Sequence, residues 1–133
     1  MEGPWLKHPK NPIVKGNRHL SRPAGRLVEY NGKLVRYAQN DYPDYGLMVY
    51  AFEVLEITET DYREQRLEYP VLFPSGEDWN ASGMHHISPY EVGKGEWIAA
   101  ADGWSHKNVG YKRSFYQTIK TFLRIYYPSI NRF

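Results

Sequence analysis

Through its first hundred residues the chain sets short apolar runs between clusters of turn-forming residues, the pattern of strands and hairpins. The clearest case is Leu27-Val28-Glu29-Tyr30, then Asn31-Gly32, then Lys33-Leu34-Val35-Arg36-Tyr37. Asn-Gly between two β-prone runs predicts a two-residue type I′ hairpin, because both central residues must take positive φ. In that register Val28 faces Val35 and Leu27 faces Arg36, so both faces of the ribbon hold apolar atoms and each needs a cover. Residues 47–57 predict a central strand, apolar on both faces at first and alternating only toward the end. Thr58 to Asp61 then turns the chain, and Tyr62 to Tyr69 reads as an exposed outer strand whose charges also permit a short helix. His85-His86-Ile87 and the run Glu96 to Ala101 predict a second hairpin around Gly93-Lys94-Gly95.

Beyond Gly103 the period changes. Phe115, Ile119, Phe122 and Tyr126 recur at spacings of four, three and four, which predicts an α-helix over residues 111–127 ended by Pro128. Lys112, Arg113, Lys120 and Arg124 make that helix basic as well as amphipathic. The first twenty residues, with Pro4, Pro9 and Pro12, read as an extended segment lying on a surface. The fold class predicted is mainly β: antiparallel ribbons stacked over residues 1–104, with one C-terminal amphipathic helix in 105–133 packed on them.

The length of 133 residues fits one domain. The absence of cysteine excludes a disulfide framework, a thiolate zinc site and a Cys nucleophile. No basic start followed by an apolar run opens the chain and no stretch approaches bilayer-spanning length, so a cytoplasmic protein, or one whose targeting segment has been removed, is expected. The net charge of +2 conceals a segmental pattern. Residues 1–40 carry eight basic and two acidic side chains, residues 41–104 three and thirteen, and residues 105–133 six and none. Either the basic ends fold back on the acidic middle, or the C-terminal face meets an anionic partner.

Twelve Tyr and four Trp give the chain rings that suit strands and, where exposed, the flat faces of sugars. Four clusters mix such rings with charge and glycine. In Ser21-Arg22-Pro23-Ala24-Gly25-Arg26 the two guanidiniums, Arg22 and Arg26, suit an anion or a carboxylate, or else clamp neighbouring sheets. In the segment Gln39-Asn40-Asp41-Tyr42-Pro43-Asp44-Tyr45-Gly46, amide, carboxylate and ring gather at a strand end, as a sugar site requires. The same residues are common turn formers. Adjacent His85 and His86 in a strand point to opposite faces and cannot chelate together without a bulge, so no metal is expected and His85 is placed as a hydrogen-bonding group near Asp41. Asp102, before Gly103, is a turn former or a functional carboxylate. Asp41 and Asp102 are the pair to test as the two carboxylates of glycoside hydrolysis. No Gly-rich phosphate loop, nucleophile elbow or zincin motif appears, and no cofactor is expected. The acidic middle argues against nucleic acid.

Taken in order, these motifs resemble a known family. Trp5, His8-Pro9, Asn11-Pro12-Ile13, Arg22-Pro23-Ala24-Gly25-Arg26, Asn31-Gly32-Lys33-Leu34, Arg36, Gln39, Asp41, Tyr45-Gly46, Met84-His85-His86 and Trp97-Ile98-Ala99 to Asp102-Gly103 are similar to the last blades of a five-bladed β-propeller. Such propellers occur in glycosidase-like proteins and as the N-terminal domain of glucosamine inositolphosphorylceramide transferases. The resemblance implies about two blades here, with the earlier ones missing. It also implies a carbohydrate-associated role, not catalytic alone, in which Arg22, Arg26, Gln39, Tyr45, His85 and His86 line a pocket for a sugar or sugar-phosphate. Unpaired blade faces call for a homo-oligomer, a partner chain that completes the propeller, or the C-terminal helix as a cover. The alternative function is a non-catalytic interaction module that docks a partner through its aromatic surface and basic helix. Attachment of that helix to a membrane surface is disfavoured because its apolar face is needed for packing.

Overall fold

The computed structural model describes residues 3–106 and the short strand at 121–123. Eight strands follow in order: β1 (Arg22–Pro23), β2 (Val28–Tyr30), β3 (Lys33–Asn40), β4 (Met48–Ile57), β5 (Tyr62–Arg66), β6 (Gly83–Gly93), β7 (Glu96–Trp104) and β8 (Thr121–Leu123). A single 3-10 turn, Asp78–Asn80, precedes β6, and no α-helix occurs among the described residues. The fold is therefore mainly β and antiparallel throughout.

Two open sheets result. In the first, β3, β4 and β5 form a meander, and β1 and β2 lie one after the other along the free edge of β3. In the second, β6, β7 and β8 form another meander. Neither closes into a barrel, and the described residues do not make a ring of blades. The type I′ hairpin is present, with Asn31 at φ 51 and Gly32 at φ 74, and Val28 stands opposite Val35. The charged segment after Asp61 is a strand and not a helix, because each of its residues finds a partner along β4.

The predicted helix over residues 111–127 is corrected where it is described. Thr121–Leu123 is a strand paired with Ala99–Ala101, although it sits inside the helical periodicity. The open edge of β7 offers a ladder of backbone donors and acceptors, and pairing there outweighs a helical pattern with nothing else to hold it. The rest of that prediction lies outside the described residues.

The sheets meet backbone to backbone. Between β1 and β2 the edge strand breaks at Ala24-Gly25, where Ala24 donates its N–H to Tyr37 at 3.0 Å and accepts from the Ile87 N–H at 2.8 Å. A second contact runs from the Met84 N–H to the Leu47 carbonyl at 3.3 Å. Around this junction Ala24, Val49, Ile87 and Ala99 form the core, with Tyr37, Val71 and Leu72 packed against them. Small residues are required because the backbones approach so closely. A Cβ added at Gly25 would sit 2.2 Å from the Ile87 carbonyl oxygen.

The first sheet is tied across its strands by charge. Arg36 on β3 reaches over Phe52 of β4, at 4.4 Å from the ring centroid, to grip Glu64 of β5 with two hydrogen bonds of 2.6 and 2.7 Å. Tyr62 donates to the same carboxylate at 2.6 Å. Burial alone would raise the Glu64 pKa, but the hydrogen bonds from Arg36 and Tyr62 and the Arg36 charge outweigh it and hold the carboxyl below its usual range. The Tyr62 hydroxyl is pushed up to about 12, first by burial and then by its bond to Glu64 and that group's charge. The N-terminal segment is not the extended run expected from its prolines: it turns at residues 9–10 and 18–20, where the Asn11 and Ser21 N–H groups meet the His8 and Asn17 carbonyls at 3.0 Å each, and it is tied to the first sheet at two points. His8 contacts the Thr58 carbonyl near one end, and Asp41 donates its N–H to Arg18 at the other.

Two outcomes follow for stability. Gly25→Ala is expected to cost about 1–3 kcal/mol, as other overpacked junctions do, read as a lowered urea midpoint. Glu64→Gln is expected to cost about 1–3 kcal/mol near neutral pH, because it strands a half-buried guanidinium. Since Glu64 is lowered on folding, the wild-type advantage should be full above about pH 5 and vanish as pH falls through the lowered value. Since Tyr62 is raised from 10.0 to about 12, wild-type stability should fall again across that interval. Urea melts of both proteins from pH 2 to 12 check each limb.

Candidate functional site

The loop from β3 to β4, residues 41–47, is held shut by its own carboxylate: Asp41 Oδ1 accepts the Gly46 N–H at 3.0 Å. Gly46 takes φ 64, and a Cβ there would lie 2.6 Å from the Cβ of His85. Only glycine lets this loop rest on the second sheet. Trp104 Nε1 donates to the Gly46 carbonyl at 3.3 Å and pins it there.

On the second sheet, β6 carries one extra residue between Met84 and His86. Met84 stands opposite Gly103 and His86 opposite Asp102, so His85 is a bulge. A bulge re-aims its side chain, and His85 Nδ1 comes to 2.6 Å from Asp102 Oδ1. A carboxylate only accepts, so Nδ1 carries the proton and, in the neutral ring, Nε2 is an acceptor. Among the described residues Nε2 has no hydrogen-bond partner, and His85 is only partly buried.

These pieces join into one chain of contacts across the two sheets. Arg22 Nη1 lies 3.9 Å from Asp41 Oδ2, and its guanidinium stacks on Tyr45 at 4.8 Å. The edge of the Tyr45–His85 pair brings their centroids to 5.6 Å, and His85 leads on to Asp102. Asp41, Arg22, Tyr45, His85 and Asp102 are thus brought together, drawn from four separate sequence clusters. Gln39 flanks them: it stands opposite Arg22, is 6% exposed, donates to the Pro23 carbonyl at 3.2 Å, and leaves Oε1 without a partner.

Two predicted residues lie apart. Arg26 turns to the Pro89 carbonyl at 2.8 Å and the Tyr90 ring at 5.9 Å, where it clamps the sheets. His86 stands opposite Asp102 but is exposed, and Asp102 gives its short bond to His85. Among the described residues no three potential metal ligands gather. Sequence reasoning missed Trp104 and the Gly46 approach; the Tyr45-Gly46 pair was the available signal. It also missed an apolar cleft of about 180 Å³ between the sheets, lined by Val28, Tyr30, Val35, Pro89 and Trp97. That cleft opens toward the two hairpin turns, whereas Asp41 and Gln39 stand at the other end of β3.

Two open antiparallel meanders, joined edge to face and carrying a polar cluster at one end, define the class of domain. Residues 1–104 match the family model described as "Glucosamine inositolphosphorylceramide transferase 1, N-terminal", and the chain belongs to that family. Similar relatives are the glucosamine inositolphosphorylceramide transferase 1 proteins of Oryza sativa subsp. japonica and of Arabidopsis thaliana. They are 31% identical over 104 and 106 residues, covering 76% of this chain in each case. The chain spans 14% of the length of these relatives. No solved structure matches it.

The bonding pattern makes a specific prediction about proton placement. In its neutral form His85 should be the Nδ1–H tautomer in long-range ¹⁵N–¹H correlation spectra. Asp102→Ala should release the proton to partition between both ring nitrogens, while His86 keeps its signals.

Proposed function

We propose that the chain is a carbohydrate-binding module of a glycosyltransferase, taking a sugar or sugar-phosphate at the Arg22, Asp41, Tyr45, His85 and Asp102 cluster. The observation that carries this reading is the chain of contacts from Asp41 through Arg22, Tyr45 and His85 to Asp102, in which Arg22 and His85 both meet the half-exposed ring of Tyr45. A ring for the apolar face of a pyranose, with carboxylates, imidazole and guanidinium around it, is what sugar recognition requires. The family's name, glucosamine inositolphosphorylceramide transferase, supports a sugar as the ligand class. The module binds and does not turn substrate over alone.

In the same reading the two meanders are successive blades of a propeller completed by further copies or by a partner chain. The support is topological, since each sheet is an antiparallel meander in chain order and the second docks on the first through its leading strand. The competing interaction-module reading finds support in exposed apolar side chains such as Tyr69 and Phe73.

Titration of the intact chain with a panel of mono- and disaccharides, glucosamine included, tests the proposal through the Gly46 amide and Trp104 indole resonances. Saturable shifts are expected, weakened about tenfold or more by Tyr45→Ala and by Arg22→Ala. Absence of shifts with every sugar would overturn it. Light-scattering mass separates the assembly question: a species larger than one chain supports completion by copies, and a monomer refutes it.

A further inference from the structure

The site's open hydrogen-bonding capacity is weighted toward acceptors. In the neutral ring His85 Nε2 accepts, because the proton sits on Nδ1 and is donated in a hydrogen bond to Asp102, and the second Asp102 oxygen has no partner among the described residues. The cluster holds two carboxylates, Asp41 and Asp102, against one guanidinium, Arg22. That guanidinium already faces Asp41 and lies on Tyr45. A phosphate brought to Arg22 must approach Asp41 as well, and Asp102 beyond it has no offsetting cation other than a protonated His85.

We infer that this site selects an uncharged, hydroxyl-donating sugar over its phosphate ester, with His85 Nε2 and Asp102 accepting from ligand hydroxyls. The inference rests on the sugar-binding reading above and decides between the two ligand classes left open there. A sugar hydroxyl satisfies both kinds of partner at once: its proton goes to His85 or Asp102, and its oxygen accepts from Arg22. The phosphate group of an ester is a dianion at a pH of about 8 and offers only acceptors, so it meets lone pairs with lone pairs at His85 and charge with charge at Asp102. At a surface-like effective dielectric, one uncompensated like charge within about 6 Å weakens binding on the order of tenfold or more. The bulge at His85 makes the arrangement specific, because without it the ring would not reach Asp102.

The test uses the intact chain at a pH of about 8 with glucose, galactose and N-acetylglucosamine, each against its 6-phosphate, and inorganic phosphate as a separate probe. At least one neutral sugar is expected to bind, to shift the His85 ¹⁵Nε2 resonance, and to bind about tenfold or more tightly than its 6-phosphate. Inorganic phosphate should leave that resonance in place. Asp102→Asn, which removes the charge but keeps the shape, should narrow the preference, and His85→Gln should retain more affinity than His85→Ala, with circular dichroism confirming that each is folded. A 6-phosphate or inorganic phosphate that binds as tightly as the neutral sugars, or a preference unmoved by Asp102→Asn, overturns the inference and leaves the sugar-binding reading standing. Failure of every sugar and every ester to bind overturns both.

Discussion

Between Met84 and His86, β6 is one residue longer than the strand it pairs with, and three separate requirements of the structure meet in that extra residue. Met84 and Ile87 are both 2% exposed, yet they lie an odd number of positions apart and would point to opposite faces of a regular strand. Their backbone N–H groups both bond to the first sheet, to Leu47 and Ala24, which an odd spacing also forbids without a bulge. The inserted residue corrects both parities at once. What is left over is His85 itself, turned away from the regular pleat toward Asp102. The site's histidine is therefore a product of how the sheets dock.

The same docking decides the division of labour between the two arginines flanking Pro23-Ala24-Gly25. Arg22 belongs to β1, stands opposite Gln39 and extends toward the loop carrying Tyr45. Arg26 follows the break, where the chain touches β6 before returning to the β3 edge, and its guanidinium donates to the Pro89 carbonyl. Four residues apart in sequence, they fall on opposite sides of the one place where the backbones touch. A guanidinium bound to a backbone carbonyl stabilises the junction, whereas one half-exposed beside a carboxylate and a ring remains available to a ligand.

Much of the fold could be read from local chemistry. Asn31-Gly32 fixed its hairpin because few residue pairs accept two positive φ values, and residues 47–57 declared a central strand through apolar side chains on both faces. The site was partly legible for the same reason: Arg22, Asp41, Tyr45, His85 and Asp102 stood out as chemistry beyond what packing needs. Their association was not legible, since it depends on a one-residue insertion in β6 and on a glycine whose missing Cβ faces His85. Neither leaves a mark in a period-two pattern. The direction in which His85 points was not legible either, because alternation assumes the regular strand that the bulge interrupts. The helical spacing of Phe115, Ile119 and Phe122 misled at Thr121–Leu123, where an unpaired β7 edge was the stronger partner.

The open edges bear on why a cluster of this kind sits where it does. A meander satisfies its inner strands and leaves its first and last ones exposed, and the first sheet meets this partly by lending its broken edge strand to β6. The break places Ala24 and Gly25 at the edge, so the two sheets approach closely there. Toward the hairpin turns lies the apolar cleft, whose lining includes Tyr30 and Trp97 with ring centroids 5.6 Å apart. At the other end of β3 the Asp41–Gly46 loop folds across onto β6 and β7, and the polar side chains collect on it. Polar groups belong at that end because the loop's own turn requires Asp41 and glycine, and because a carboxylate beside a bulged histidine keeps both hydrogen-bonded without burying either completely.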